Sequence, residues 1–222
     1  MLIFCIVLSW VSLLSTASLN NNLVILNSLK DSDNWILIDN RPDSILVFEK
    51  NIEKQNLNAL KVQKVINSSS NNIIDIIMNV TEYPKIMSDS EMLSFQIGKK
   101  GDFLYAYNNF PSKLPFISDR HYVFKLNKIS ASKVEWTLVS SDEIASSFKM
   151  QKIIDENPNA IYIEEGAGFW EVKPLSDNFS QVSYALYMDS GGNISYYLND
   201  YFNSYSIVSL FKSVLKKTKE LD

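Results

Sequence analysis

The chain holds one histidine, His121, and one cysteine, Cys5. A Ser–His–Asp triad would have to use His121. Neither a Cys–His zinc site nor a disulfide framework can be built from such a set. His121 follows Arg120 in a strand-like run, where neighbouring side chains point to opposite faces. An inward Arg120 therefore places His121 outward, at the surface or an edge. The acidic pairs Asp142-Glu143 and Glu164-Glu165 read as solvated turns and strand edges. A carboxylate hydrolase needs two acids facing one cleft, and nothing singles out such a pair. No glycine-rich phosphate loop is present. The conspicuous spacing is apolar and alternating: Phe103, Tyr105, Tyr107; Tyr122, Phe124, Leu126; Trp136, Leu138; Tyr184, Leu186, Met188. On one face of a sheet, such a set fills a core or lines a pocket for an apolar molecule. No covalent chemistry, cofactor or metal is expected.

Twenty-one Lys and Arg against 25 Asp and Glu leave a net charge of −4 at pH 7, which argues against a nucleic-acid partner. A hydrophobic fraction of 46% supports a folded core, and six Gly and six Pro exclude a repetitive fibre. The length suits one domain with a short appendage.

Residues 1–17, MLIFCIVLSWVSLLSTA, carry no charge, and the first charged side chain is Lys30. The run is shorter than the ~20 residues of a membrane span. It ends in Ser15-Thr16-Ala17, small residues of the kind a signal peptidase reads. The reading is a signal peptide cleaved near Ala17, although no Lys or Arg precedes the apolar run. The alternatives are an uncleaved anchor and a buried N-terminal element. The protein is accordingly expected to be secreted or periplasmic, or membrane-anchored by residues 1–17. Residues 18–33 read as a polar N-terminal segment and 34–222 as the functional domain.

Strand signals run through 35–38, 44–50, 59–66, 94–97, 102–108, 120–128, 133–141, 161–172 and 181–189. Gly98-Lys99-Lys100-Gly101 reads as a hairpin turn. Ser70 opens a helix whose Ile73, Ile74, Ile77 and Met78 share a face, and Tyr83-Pro84 closes it. A long helix follows from Ile194 to Leu221, with apolar spacing at Ile194, Leu198, Tyr201, Tyr205, Val208, Phe211 and Leu215. Many strands followed by one long amphipathic helix mean an α+β fold with helices on an antiparallel sheet.

Three stretches then carry a resemblance. Leu114 to Leu126, LPFISDRHYVFKL, is a Pro-bearing loop entering a strand at Arg120, with Val123 in place and His121 where an Asp is usual. Gly168 to Leu175, GFWEVKPL, is a strand ending in a Pro. Tyr184 to Leu198, YALYMDSGGNISYYL, has a strand ending at Asp189, a turn at Gly192 and a helix opening at Ile194, with Ser195 replacing a Pro. In order and spacing, residues 34–219 resemble a START domain, the lipid-transfer fold related to the steroidogenic acute regulatory protein.

The resemblance implies a helix-grip fold, a curved antiparallel sheet around the C-terminal helix with an internal apolar cavity for one lipid or sterol-like ligand. The loop at 109–118 and the last helix would form the lid. The implied lining is Tyr105, Tyr107, Arg120, Tyr122, Phe124, Leu126, Trp136, Leu138, Tyr184 and Leu186 from the sheet, with Leu198, Tyr201, Phe202 and Tyr205 from the helix. A monomer in transient contact with a membrane follows. Two alternatives stand beside it. One is a cavity enzyme of the wider cyclase-containing superfamily, using a cluster of Arg120, Tyr107 and Tyr184. The other is an interaction domain with a filled core.

Overall fold

The fold is taken from a computed structural model, which describes residues 21–67, 71–112, 114–176, 178–192 and 196–221. The expected signal peptide, the Ser70 cap and Ile194-Ser195 lie outside the described residues. Helix α1 covers residues 21–30. Strands β1 (Ile36–Asn40), β2 (Leu46–Asn51) and β3 (Asn58–Ile66) follow, then helices α2 (Asn71–Met78) and α3 (Tyr83–Ile86). A meander of β4 (Leu93–Lys100), β5 (Phe103–Phe110), β6 (Arg120–Ser130) and β7 (Lys133–Leu138) leads to α4 (Ser141–Ala145) and α5 (Phe148–Asp155). Strands β8 (Ile161–Tyr162), β9 (Gly166–Ser176) and β10 (Phe179–Met188) precede α6 (Tyr196–Leu221).

One sheet has the order β1-β2-β3-β10-β9-β7-β6-β5-β4, with β8 pairing beside β6. All pairings are antiparallel except β8 with β6. Its inner face packs on α2, α3 and α6 in the main core. The outer face is also covered. Ile25, Leu26 and Leu29 of α1 pack on Ala167, Phe169, Ala185 and Tyr187. Ile144 of α4 joins Tyr105, Tyr107 and Val123, with Met150, Ile153 and Ile154 of α5 beside them.

Several local outcomes differ from the sequence expectation. The segment read as polar contains α1, whose three buried apolar residues lie at helical spacing among Asn and Ser. Helix α4 takes in Asp142-Glu143, read as a solvated turn, and α5 fills a stretch that carried no element in the sequence reading. Ser140 caps α4 by accepting from the Glu143 N–H, and Ser147 caps α5 by accepting from the Met150 N–H. Ser140-x-x-Glu143 has the spacing of a capping box and was the available signal. Pro84 sits in the first turn of α3, where its missing N–H costs nothing, rather than closing α2. Strand β4 continues through Gly98 at a register irregularity, and the hairpin turns at Gly101, φ +58°. There φ is positive, which glycine tolerates without a Cβ clash.

Candidate ligand-binding interior

Strand register decides which side chains face α6. Phe124 pairs with Ala106 on one side and Leu138 on the other, and Leu126 pairs with Leu104 and Trp136. Tyr122, Phe124, Leu126, Trp136, Leu138, Tyr184 and Leu186 therefore share the inner face, all buried in one cluster with Ile207, Val208 and Phe211 of α6. Their rings form a continuous row of contacts. Phe110 stacks on Tyr122, Tyr122 meets Phe124 edge-on, and Phe124 meets Trp136 edge-on. A Cβ on Gly168 would stand 2.6 Å from the Trp136 ring and 2.5 Å from the Ala185 carbonyl oxygen. Glycine at that point lets the indole lie across the sheet.

Beyond Gly168, Trp170 stacks on Tyr184 at 4.1 Å and on Phe211 at 5.7 Å. This three-ring stack fixes α6 over β9 and β10. Sequence reasoning missed Trp170, and also Leu104, Ala106 and Asn108 on β5.

Polar groups are few on this face. Asn108 donates from Nδ2 to the Tyr122 hydroxyl at 3.2 Å, and Tyr83 donates its hydroxyl proton to the Ile77 carbonyl at 2.6 Å. Burial pushes the Tyr122 phenol up to about 12. The Tyr184 phenol is raised well above its ordinary value, first by burial and then by the Tyr122 and Tyr83 hydroxyls, with the Trp136 indole opposing. All three tyrosines thus stay neutral and close together.

Arg120 lies at the end of this row and is spent on backbone. It donates from Nε to the Ser190 carbonyl at 3.3 Å, from Nη2 to Gly191 at 3.4 Å, and from Nη1 to Ser118. Asn199 accepts from the Ser190 N–H and donates to Asp189, and Asn203 donates to the Met188 carbonyl at 2.7 Å. Arg120 and two buried asparagines of α6 thereby latch the 188–191 turn to the mouth of β6. Burial lowers the Arg120 pKa, and Asp119 nearby opposes this.

Tyr105 and Tyr107, expected in the lining, stand on the outer face. The register pairs them with Lys125 and Val123. Tyr105 donates to Glu143 at 2.8 Å, and Lys125 reaches the other carboxylate oxygen at 2.8 Å. Burial first, then this bond and the charge of Glu143, push the Tyr105 phenol up to about 12. The expected catalytic cluster of Arg120, Tyr107 and Tyr184 is not assembled, because Tyr107 is across the sheet from Tyr184.

His121 is outward as expected but not at the surface. It is 1% exposed, closed over by α5 and β8. Its Nδ1 lies 3.1 Å from the Tyr107 hydroxyl, and Tyr162 meets it edge-on. Asn109 donates to the Tyr107 oxygen. Burial lowers the His121 pKa.

Tyr205 is 56% exposed. It lies about 120° around the helix from Phe211 at 3.6 residues per turn, outside the face that carries Asn203, Ile207, Phe211, Val214 and Thr218. Leu198, Tyr201 and Phe202 belong to α6, and their side chains lie outside the described residues. On the outer face, α1 and strands β5 to β7 border a groove of about 370 Å³ lined by Leu23, Leu26, Phe103 and Lys125. The sheet separates these residues from α6. Among the described residues no cluster of His, Cys, Asp and Glu could hold a metal ion.

No family model and no curated protein matches the chain in sequence. Solved structures do match in fold. A STAR-related lipid transfer protein of Xanthomonas axonopodis superposes with a TM-score of 0.65 at 17% identity, over 82% of this chain and 97% of that one. Human StAR-related lipid transfer protein 5 gives 0.64 at 14% identity, over 96% and 98%. Human STARD10 gives 0.64 at 11% identity, over 87% and 78%. The chain has the START-domain fold, an α+β helix-grip architecture in which a large antiparallel sheet holds a long C-terminal helix.

Proposed function

We propose that this protein binds one hydrophobic ligand between the inner face of the sheet and α6 and carries it through water, without covalent catalysis. The observation that carries this reading is the inner lining itself. Tyr122, Phe124, Leu126, Trp136, Leu138 and Leu186 present apolar surface to α6 in a fold shared with lipid transfer proteins. Shielding apolar ligand area from water stabilises a complex by about 25 cal/mol per Å², less the costs of immobilising the ligand.

Access would come at the Arg120 end, where the sheet meets the loop at 114–119 and the 188–191 turn. That loop carries an exposed Leu114 and a fully exposed Phe116 at positive φ, apolar surface suited to brief contact with a bilayer. The carrier works as a monomer, and the apolar N-terminal run directs it out of the cytoplasm.

The test is transfer of a self-quenched fluorescent sterol or acyl lipid from donor to acceptor vesicles. The protein should accelerate transfer in proportion to its concentration. A rate no faster than with an unrelated acidic protein of the same size would overturn the reading.

A further inference from the structure

On the inner face of the described residues, one buried side-chain oxygen has no hydrogen-bond partner. Asn108 is 3% exposed and gives its Nδ2 to Tyr122, while its Oδ1 accepts nothing. The other buried atom of this kind, Asp43 Oδ1, belongs to a carboxylate already paired through Oδ2 with Lys212. An unsatisfied buried acceptor is costly. Leu104 and Ala106, which precede Asn108 on the same face of β5, are apolar. Asn108 therefore gives up stability at a position where the strand otherwise accepts only carbon.

We propose that Asn108 and Tyr122 are the specificity-determining pair of the interior and read a hydroxyl group on an uncharged hydrophobic ligand. This rests on the carrier reading above and adds the ligand class. The Tyr122 oxygen already accepts from Asn108, so its phenol proton is free to be donated. The pair thus offers one acceptor and one donor side by side. A ligand hydroxyl satisfies both, giving its proton to Asn108 Oδ1 and accepting from Tyr122. A carboxylate or phosphate diester brings no proton for Oδ1. A charged head of either sign would also lack a counter-charge. Arg120 is the one buried charged side chain on this face among the described residues, and it is engaged by three carbonyls. Burying an unpaired charge is the more costly outcome. The ligand class is a neutral lipophilic alcohol.

The experiment is competitive loading of the purified full chain with hexadecanol, hexadecane and palmitate delivered from cyclodextrin, read by native mass spectrometry. The wild type should favour hexadecanol over hexadecane, and over palmitate, by about tenfold, the size of one buried hydrogen bond. Asn108→Leu should hold hexadecane as the wild type does and lose the preference for the alcohol. Tyr122→Phe keeps the ring packing and should also reduce the preference, so the test survives if Asn108→Leu fails to fold. Equal loading of alcohol and alkane by the wild type overturns the inference and leaves the carrier reading standing. So does a preference for palmitate, or an alcohol preference that survives both variants. Failure to load any of the three probes overturns both.

Discussion

Trp170 of β9 and Tyr184 of β10 lie ring on ring, with centroids 4.1 Å apart and planes 8° from parallel. Phe211 extends the stack at 5.7 Å, so these rings join sheet and helix at one point. Offset stacking and the burial of three large rings both favour this contact. Trp170→Ala is expected to destabilise the fold by about 3–5 kcal/mol, read as a lower urea midpoint. Trp170→Phe should cost less than half of that.

Gly168 allows Trp136 to lie flat. A methyl group there meets the Ala185 carbonyl oxygen at 2.5 Å and the indole at 2.6 Å, and backbone cannot yield as a flexible side chain does. Gly168→Ala should cost roughly 1–3 kcal/mol through overpacking. The emission of Trp136 should change at the same time, because the indole must turn.

Arg120 holds the 188–191 turn through two of its three carbonyl contacts. Arg120→Met keeps the stem and removes the donors, leaving carbonyls unpaired. The expected loss is about 2 kcal/mol, with faster amide exchange at Ser190 and Gly191 than in the wild type. Exchange confined to other regions would show that the latch lies elsewhere.

His121 makes stability depend on pH. Burial holds its folded pKa below the ordinary 6.5, so the unfolded chain takes up the proton first. Stability is complete above about pH 6.5 and falls as the pH drops through that value towards the folded pKa, with a slope of at most about 1.4 kcal/mol per pH unit. The groups against it, Tyr107 and Tyr162, are phenols whose pKa burial raises, so they stay neutral in this range. His121→Gln should flatten the curve between pH 7 and 5 in denaturant titrations. An unchanged curve would assign the dependence to other groups.

Much of the fold was legible in the sequence because β3 and β7 alternate apolar with polar residues and α6 keeps a three-or-four apolar spacing. Tyr105 and Tyr107 misled for a physical reason. Strand β5 is covered on both faces, by the main core on one and by α4 and α5 on the other, so it is apolar throughout its middle. Alternation carries no sign in such a strand. Only the pairing of Tyr107 with Val123 sets its side. His121 was misplaced by the same unseen cover. Helix α1 escaped because its three buried apolar residues are diluted by Asn and Ser. Asn108 could not be read from sequence, since an Asn near a strand end looks like the start of a turn.

Native mass spectrometry reads whether a lipid-sized guest enters between the sheet and α6. The chain should be weighed after gentle purification and again after organic extraction. One additional mass of lipid size at a one-to-one ratio is expected, lost on extraction and regained from a mixed-lipid challenge. A chain that carries no added mass and takes none up from that challenge would contradict the carrier reading.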